Sequence, residues 1–175
     1  MRGTLVVMTP VGTHAHADRP TLDRRSLLAL AAFGAAAAAA ALLGGLAAGS
    51  ASSEYARLDQ PAFAPPSWVF GPVWTVLYVG IAVAGWLTWR AAGRVDRATV
   101  AWGVQMVLNA AWTPLFFGAG LYGVALVEIV VLAGTIVLTM VLAARRSRVA
   151  AWLLAPYLAW VCFATALNAS IWWLN

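Results

Sequence analysis

The sequence predicts an all-α integral membrane protein, a bundle of five transmembrane helices. Three observations predict it. Of the 175 residues, 63% are hydrophobic and only 10% are charged, whereas soluble domains sit nearer ~45–50% apolar and about 25% charged. The apolar residues fall into five runs, near 27–49, 67–90, 98–118, 121–144 and 149–174. Each is about 20 residues or longer, enough for a helix to cross about 30 Å of hydrocarbon. Third, ten of the eleven basic residues, all arginines, sit in connections that alternate onto one side of such a bundle, and Arg57 alone falls on the other. That split follows the positive-inside rule, so the N-terminus is expected in the cytoplasm and the C-terminus outside. Helices are the expected spanning form because backbone groups in lipid must pair within their own segment.

The net charge of +5 is accounted for by this topology, and no nucleic-acid partner is implied. One cysteine, Cys162, excludes an intrachain disulfide and a cysteine metal cluster; set in an apolar run, it reads as a small buried hydrophobe.

Residues 1–26 are polar and read as a disordered tail. Two histidines in such a tail, His14 and His16, make no metal cage. Arg24-Arg25-Ser26-Leu27-Leu28 resembles a twin-arginine export signal, followed by small residues from Ala48 to Ser53. The apolar run is too long for a signal core, however, and an uncleaved first helix is expected. Its seven consecutive alanines, Ala35–Ala41, make that helix narrow and suited to close packing.

The connection to the second run is the longest. Pro61, Pro65 and Pro66 stiffen it, so it reads as a rigid lid on the outer face. Gly71-Pro72 falls inside the second run, where proline is expected to bend the helix. Seven of the ten tryptophans lie near predicted helix ends, Trp102 among them, where indoles favour the headgroup region. Trp74, Trp112 and Trp160 lie more than a turn inside. Each has companions at helical spacing: Gly71 and Tyr78; Gln105, Asn109 and Phe116; Tyr157, Ala164 and Asn168. These faces either line one cavity or bind the helices together through polar contacts.

Glu128 is an acid inside the fourth run. An ionisable group at that depth is costly and should face the bundle interior or a wet cavity, as a proton site, a ligand contact or a carboxyl bonded to a neighbouring helix. The spans hold no histidine and one acid, so neither a histidine-based triad nor paired carboxylates can be built there.

Three motifs, PPSWVFGPVWTVLY (65–78), NAAWTPLFF (109–117) and PYLAWVCFATALN (156–168), resemble those of the TspO/MBR family of tryptophan-rich sensory and translocator proteins. The likeness runs from about Ala29 to Asn175. It implies a five-helix bundle, usually a homodimer, that binds porphyrins, haem and synthetic aromatic ligands beneath the first connection. No resident cofactor is required. Trp74, Asn109, Trp112, Trp160 and Ala164 match cavity positions, and Tyr55 and Pro65 match lid positions. Phe63 stands where the family usually has tryptophan, which keeps an apolar ring and loses an N–H and a readily oxidised π-system. The sterol motif of the animal members is absent after Leu167. The expected function is tetrapyrrole binding as a sensor, carrier or regulator. The rivals are an enzyme that degrades porphyrin oxidatively or under light, with Trp160 as electron donor, and a structural partner of a membrane complex.

Overall fold

The computed structural model describes residues 23–47 and 51–175, and the predicted tail with His14 and His16 lies outside them up to residue 22. The helices are α1 (Arg24–Ala47), α2 (Ala51–Arg57), α3 (Phe70–Ala92), α4 (Arg97–Thr113), α5 (Tyr122–Ala144), α6 (Arg148–Leu153) and α7 (Ala155–Leu174). Among the described residues there is no strand, and five segments are long and apolar enough to cross a membrane. α1 lies against α3 and α4, α5 against α4 and α7, and α3 closes the ring against α6 and α7.

Helix ends follow from local chemistry. Asp23 Oδ1 accepts from the Ser26 amide at 2.8 Å, so α1 starts two residues before the predicted end of the tail. Asp96 caps α4, accepting from the Ala98 and Thr99 amides at 3.1 and 3.0 Å. Ser147 caps α6 by accepting from the Ala150 amide; such side-chain acceptors satisfy amides that a first helical turn leaves unpaired. Gly93 ends α3 in the left-handed region at φ 66°, a conformation that costs a residue without Cβ little.

The arginine-bearing connections meet at one end of the bundle. The Arg146 guanidinium pairs with Asp96 at 3.2 Å. Arg25 donates to the Gly93 carbonyl and lies over the Trp89 ring, while Arg90 lies over Trp86. Trp86 Nε1 in turn donates to the Ser26 carbonyl at 3.0 Å. At the opposite end, Asn175 clasps the lid: its Oδ1 accepts from the Asp59 amide and its Nδ2 donates to the Asp59 carbonyl, each at 3.1 Å.

Three expectations are corrected. Pro72 does not break a continuous helix. Ser67–Val69 form a 3₁₀ turn and α3 starts at Phe70, so Pro72 occupies the first turn, where a missing N–H costs no helical bond. The proline irregularity falls instead at Pro114, which cannot donate one turn back; residues Pro114–Gly118 wind as a π-helix, with the Ala119 amide reaching the Pro114 carbonyl. The lid itself contains α2. Trp102 is 5% exposed, edge-on to Phe33, and donates to the Ile81 carbonyl at 2.9 Å; it belongs to the core and not to an interfacial belt. Cys162 is exposed. A thiol facing lipid hydrocarbon meets the same apolar surroundings as one in a core, so sequence polarity does not distinguish the two. In α1, close packing is confined to one stripe: Ala37 and Ala40 are buried, and most of the other alanines in the run are exposed.

Close packing at Gly85 is obligatory. A Cβ there would lie 2.6 Å from the Trp102 indole and 2.8 Å from Phe33, whereas one at Gly34 would meet nothing within 4 Å. Gly85→Ala is expected to destabilise the bundle by about 1–3 kcal/mol through overpacking, and Gly34→Ala to leave it unchanged or firmer; thermal unfolding in detergent measures both. Partial burial alone would raise the Asp96 carboxyl. Hydrogen bonds from Thr99, the Arg146 charge and the Ala98 amide outweigh it and hold the group below the usual carboxylate range. A depressed native value means that the stabilisation is complete above that range and fades as pH falls through it. Asp96→Ala is therefore expected to cost about 1 kcal/mol at neutral pH, with the gap from the parent closing on acidification in the same unfolding assay.

Candidate ligand cavity

Three helix faces that the sequence sets at i, i+4 spacing converge on one hollow at the lid end. Trp74 and Tyr78 come from α3, Asn109 and Trp112 from α4, Phe116 from the π-turn, and Trp160, Ala164 and Asn168 from α7. They border a cavity of about 530 Å³. Of the eleven residues the sequence sets on these faces, nine border the hollow, Gly71 included, and Gln105 and Tyr157 do not.

The walls are aromatic. Trp112 stacks on Phe116 with centroids 4.9 Å apart and planes 23° from parallel. Trp74 lies 5.3 Å from Tyr78 and meets Tyr157 edge-on. Trp160 is wedged between Phe70 at 5.9 Å and Phe163 at 5.4 Å. Such tilted and edge-on contacts suit the quadrupoles of the rings and fix their orientation before anything enters.

Two asparagines tie these walls together. The Tyr78 hydroxyl donates to Asn109 Oδ1 at 2.6 Å, and Asn109 Nδ2 donates to the Tyr157 oxygen at 3.1 Å. Trp112 Nε1 donates to Asn168 Oδ1 at 3.2 Å, and Asn168 Nδ2 donates to the Tyr122 carbonyl at 2.9 Å. The alternatives left open by periodicity are thus both realised: the rings border a cavity while the amides cross-link helices. Having given its proton to Asn109, Tyr78 offers an occupant only its lone pairs. Among the described residues, no hydrogen bond engages the indole N–H of Trp74 or Trp160, so these remain as donors.

The lid residues divide. Tyr55 lines the cavity, is 5% exposed, and donates to the Pro65 carbonyl at 3.1 Å; burial pushes its phenol up. Gln60 donates to the Tyr55 carbonyl. Pro65 and Pro66 shape the connection without bordering the hollow. Phe63 is half exposed and touches the outer wall through Phe163, 6.2 Å away. Glu128 does not border the cavity; both its carboxyl oxygens are buried and without a hydrogen-bond partner.

The sequence reading missed the contribution of α1. Ala41, Gly44 and Gly45 border the cavity on that side, as do Ile129 and Leu132 of α5. The glycine pair was the main signal, since small residues leave room beside a helix. The aliphatic residues on α5 gave a weak one, Leu132 lying one turn from Glu128 in an otherwise largely apolar helix. Among the described residues, no group of histidine, cysteine or acid side chains is placed to hold a metal ion.

Comparison with known proteins places this architecture. The TspO/MBR family model matches residues 32–174. The human translocator protein is 43% identical over 122 residues, covering 67% of this chain and 72% of that protein. The tryptophan-rich protein TspO of Chlorobaculum tepidum is 44% identical over 129 residues, covering 71% and 81%. Its namesake from Archaeoglobus fulgidus is 39% identical over 127 residues, covering 72% and 82%. The matched region contains the helices that build the cavity, and the chain belongs to the TspO/MBR family.

Proposed function

We propose that the protein binds a tetrapyrrole, a porphyrin or haem, in this cavity and acts in the membrane as a sensor, carrier or regulator. One observation carries the reading: Trp74, Trp112 and Trp160, from three helices, border a single hollow of about 530 Å³. That size lies within the roughly 300–1,000 Å³ of small-molecule sites. A flat macrocycle would bury its faces against the indole and phenyl rings. Its polar edge would meet the Tyr78 oxygen and the N–H groups of Trp74 and Trp160. The rings are held by one another and by the asparagine bonds, so little ordering cost remains when a guest enters.

The arginine-rich end is read as cytoplasmic by the positive-inside rule, which puts the cavity and its lid in the outer half of the bilayer. The chain is also read as a homodimer in a bacterial cytoplasmic membrane, on family resemblance.

Titration with protoporphyrin IX is expected to quench tryptophan fluorescence saturably. Trp74→Leu and Trp160→Leu should each weaken binding about tenfold, roughly one aromatic contact. Trp152→Leu, which alters an exposed ring away from the cavity, should bind like the parent. Absence of saturable quenching would reject the reading. Bleaching that requires light or oxygen and disappears in Trp160→Leu would replace it with porphyrin breakdown. A periplasmic reporter fused after Asn175 is expected to be active, and an inactive one would invert the orientation.

A further inference from the structure

Two polar side chains are orphaned beneath the cavity. Gln105 of α4 is 0% exposed, and both atoms of its amide are buried without a partner. Both carboxyl oxygens of Glu128 on α5 are in the same state. Leaving four such atoms unpaired would forfeit their hydration with nothing in return, so a partner is to be expected.

The two lie at one depth. Trp112 of α4 and Tyr122 of α5 share Asn168 and so mark a common level. Gln105 precedes Trp112 by seven residues and Glu128 follows Tyr122 by six. At about 1.5 Å per residue both sit about 10 Å farther from the lid, and α4 and α5 pack against each other. Tyr157 reaches this layer from α7: it is bonded to Asn109, one turn from Gln105, and α7 packs against α5, which carries Glu128. The Tyr157 oxygen accepts from Asn109, and among the described residues nothing accepts its own proton.

We propose that Gln105, Glu128 and Tyr157 bind a water molecule, which makes Glu128 the terminal acceptor of a hydrogen-bond chain starting at the cavity floor. The donors then all point one way. Tyr78 gives its proton to Asn109, Asn109 to Tyr157, Tyr157 to the water, and the water to Glu128 Oε1 and Gln105 Oε1. Gln105 and Glu128 make no direct bond, so a second water takes the Gln105 Nε2 proton and donates to the other carboxyl oxygen. Every orphan is then satisfied, and the first water has three polar partners, the usual number for a buried one. Glu128 acts here as a positioning residue. It fixes the Asn109 amide from behind and keeps the Tyr78 lone pairs turned to the cavity. The consequence for ligand affinity rests on the tetrapyrrole reading; the chain itself does not.

The test has one readout without ligand and one with it, in the full chain reconstituted in lipid nanodiscs. Hydrogen exchange of the Asn109 side-chain amide, followed by NMR, reports on the chain. Glu128→Leu and Gln105→Met are expected to speed that exchange, and Glu128→Gln, which keeps an acceptor oxygen, to preserve it. Protoporphyrin IX affinity should fall about three- to tenfold in Glu128→Leu, the worth of one hydrogen bond, and recover in Glu128→Gln. In a Tyr157→Phe background, Glu128→Leu should add nothing further. Parental exchange in both Glu128→Leu and Gln105→Met would overturn the proposal. So would a Glu128→Gln as impaired as Glu128→Leu, or full additivity with Tyr157→Phe. If the parent binds no protoporphyrin, the exchange readout decides alone, and only the ligand reading falls.

Discussion

Asn109 is the pivot of the bundle. One amide accepts from α3 and donates to α7 while standing on α4, so three helices are fixed at one point. In hydrocarbon, apolar side chains gain little by choosing each other over lipid, and packing and interhelical hydrogen bonds must set the arrangement. Asn168 repeats the device nearer the lid, joining α7 to α4 and α5. Around these two points the rings can be held apart as well as together. The cavity exists because cross-links, and not collapse, determine the spacing of the walls.

This explains which parts of the structure were legible in advance. Spans were readable because length and apolarity in a membrane are imposed by bilayer thickness. The faces carrying Trp74, Asn109, Trp112, Trp160 and Asn168 were readable because helical spacing is rigid and polar residues inside a span must turn inward. Spacing alone did not decide between a cavity and a cemented interface, since an asparagine that cross-links two helices and one that borders a hollow have the same pattern. The family motifs tipped that choice. The geometry then put the residues on one hollow and also gave the asparagines their cross-linking bonds.

What escaped the sequence shares a cause. α2 is a helix of seven residues in a stretch whose prolines suggest only stiffness. Cys162 and Trp102 were misplaced because polarity does not tell a lipid-facing position from a core one, or an interfacial indole from a buried one, when all are apolar. The proline break was expected at Pro72 and found at Pro114. A proline disturbs a helix according to how many turns precede it, and that depends on a helix start that the 3₁₀ turn at Ser67–Val69 displaces.

The clasp between Asn175 and Asp59 imitates a pair of peptide groups in adjoining strands, one donor and one acceptor on each side. It fastens the roof to the tip of the very helix that carries Trp160, Ala164 and Asn168. Raising the roof and loosening that wall are consequently one mechanical event. An opening made this way would be as wide as the side of the bundle, not a narrow slit at the top.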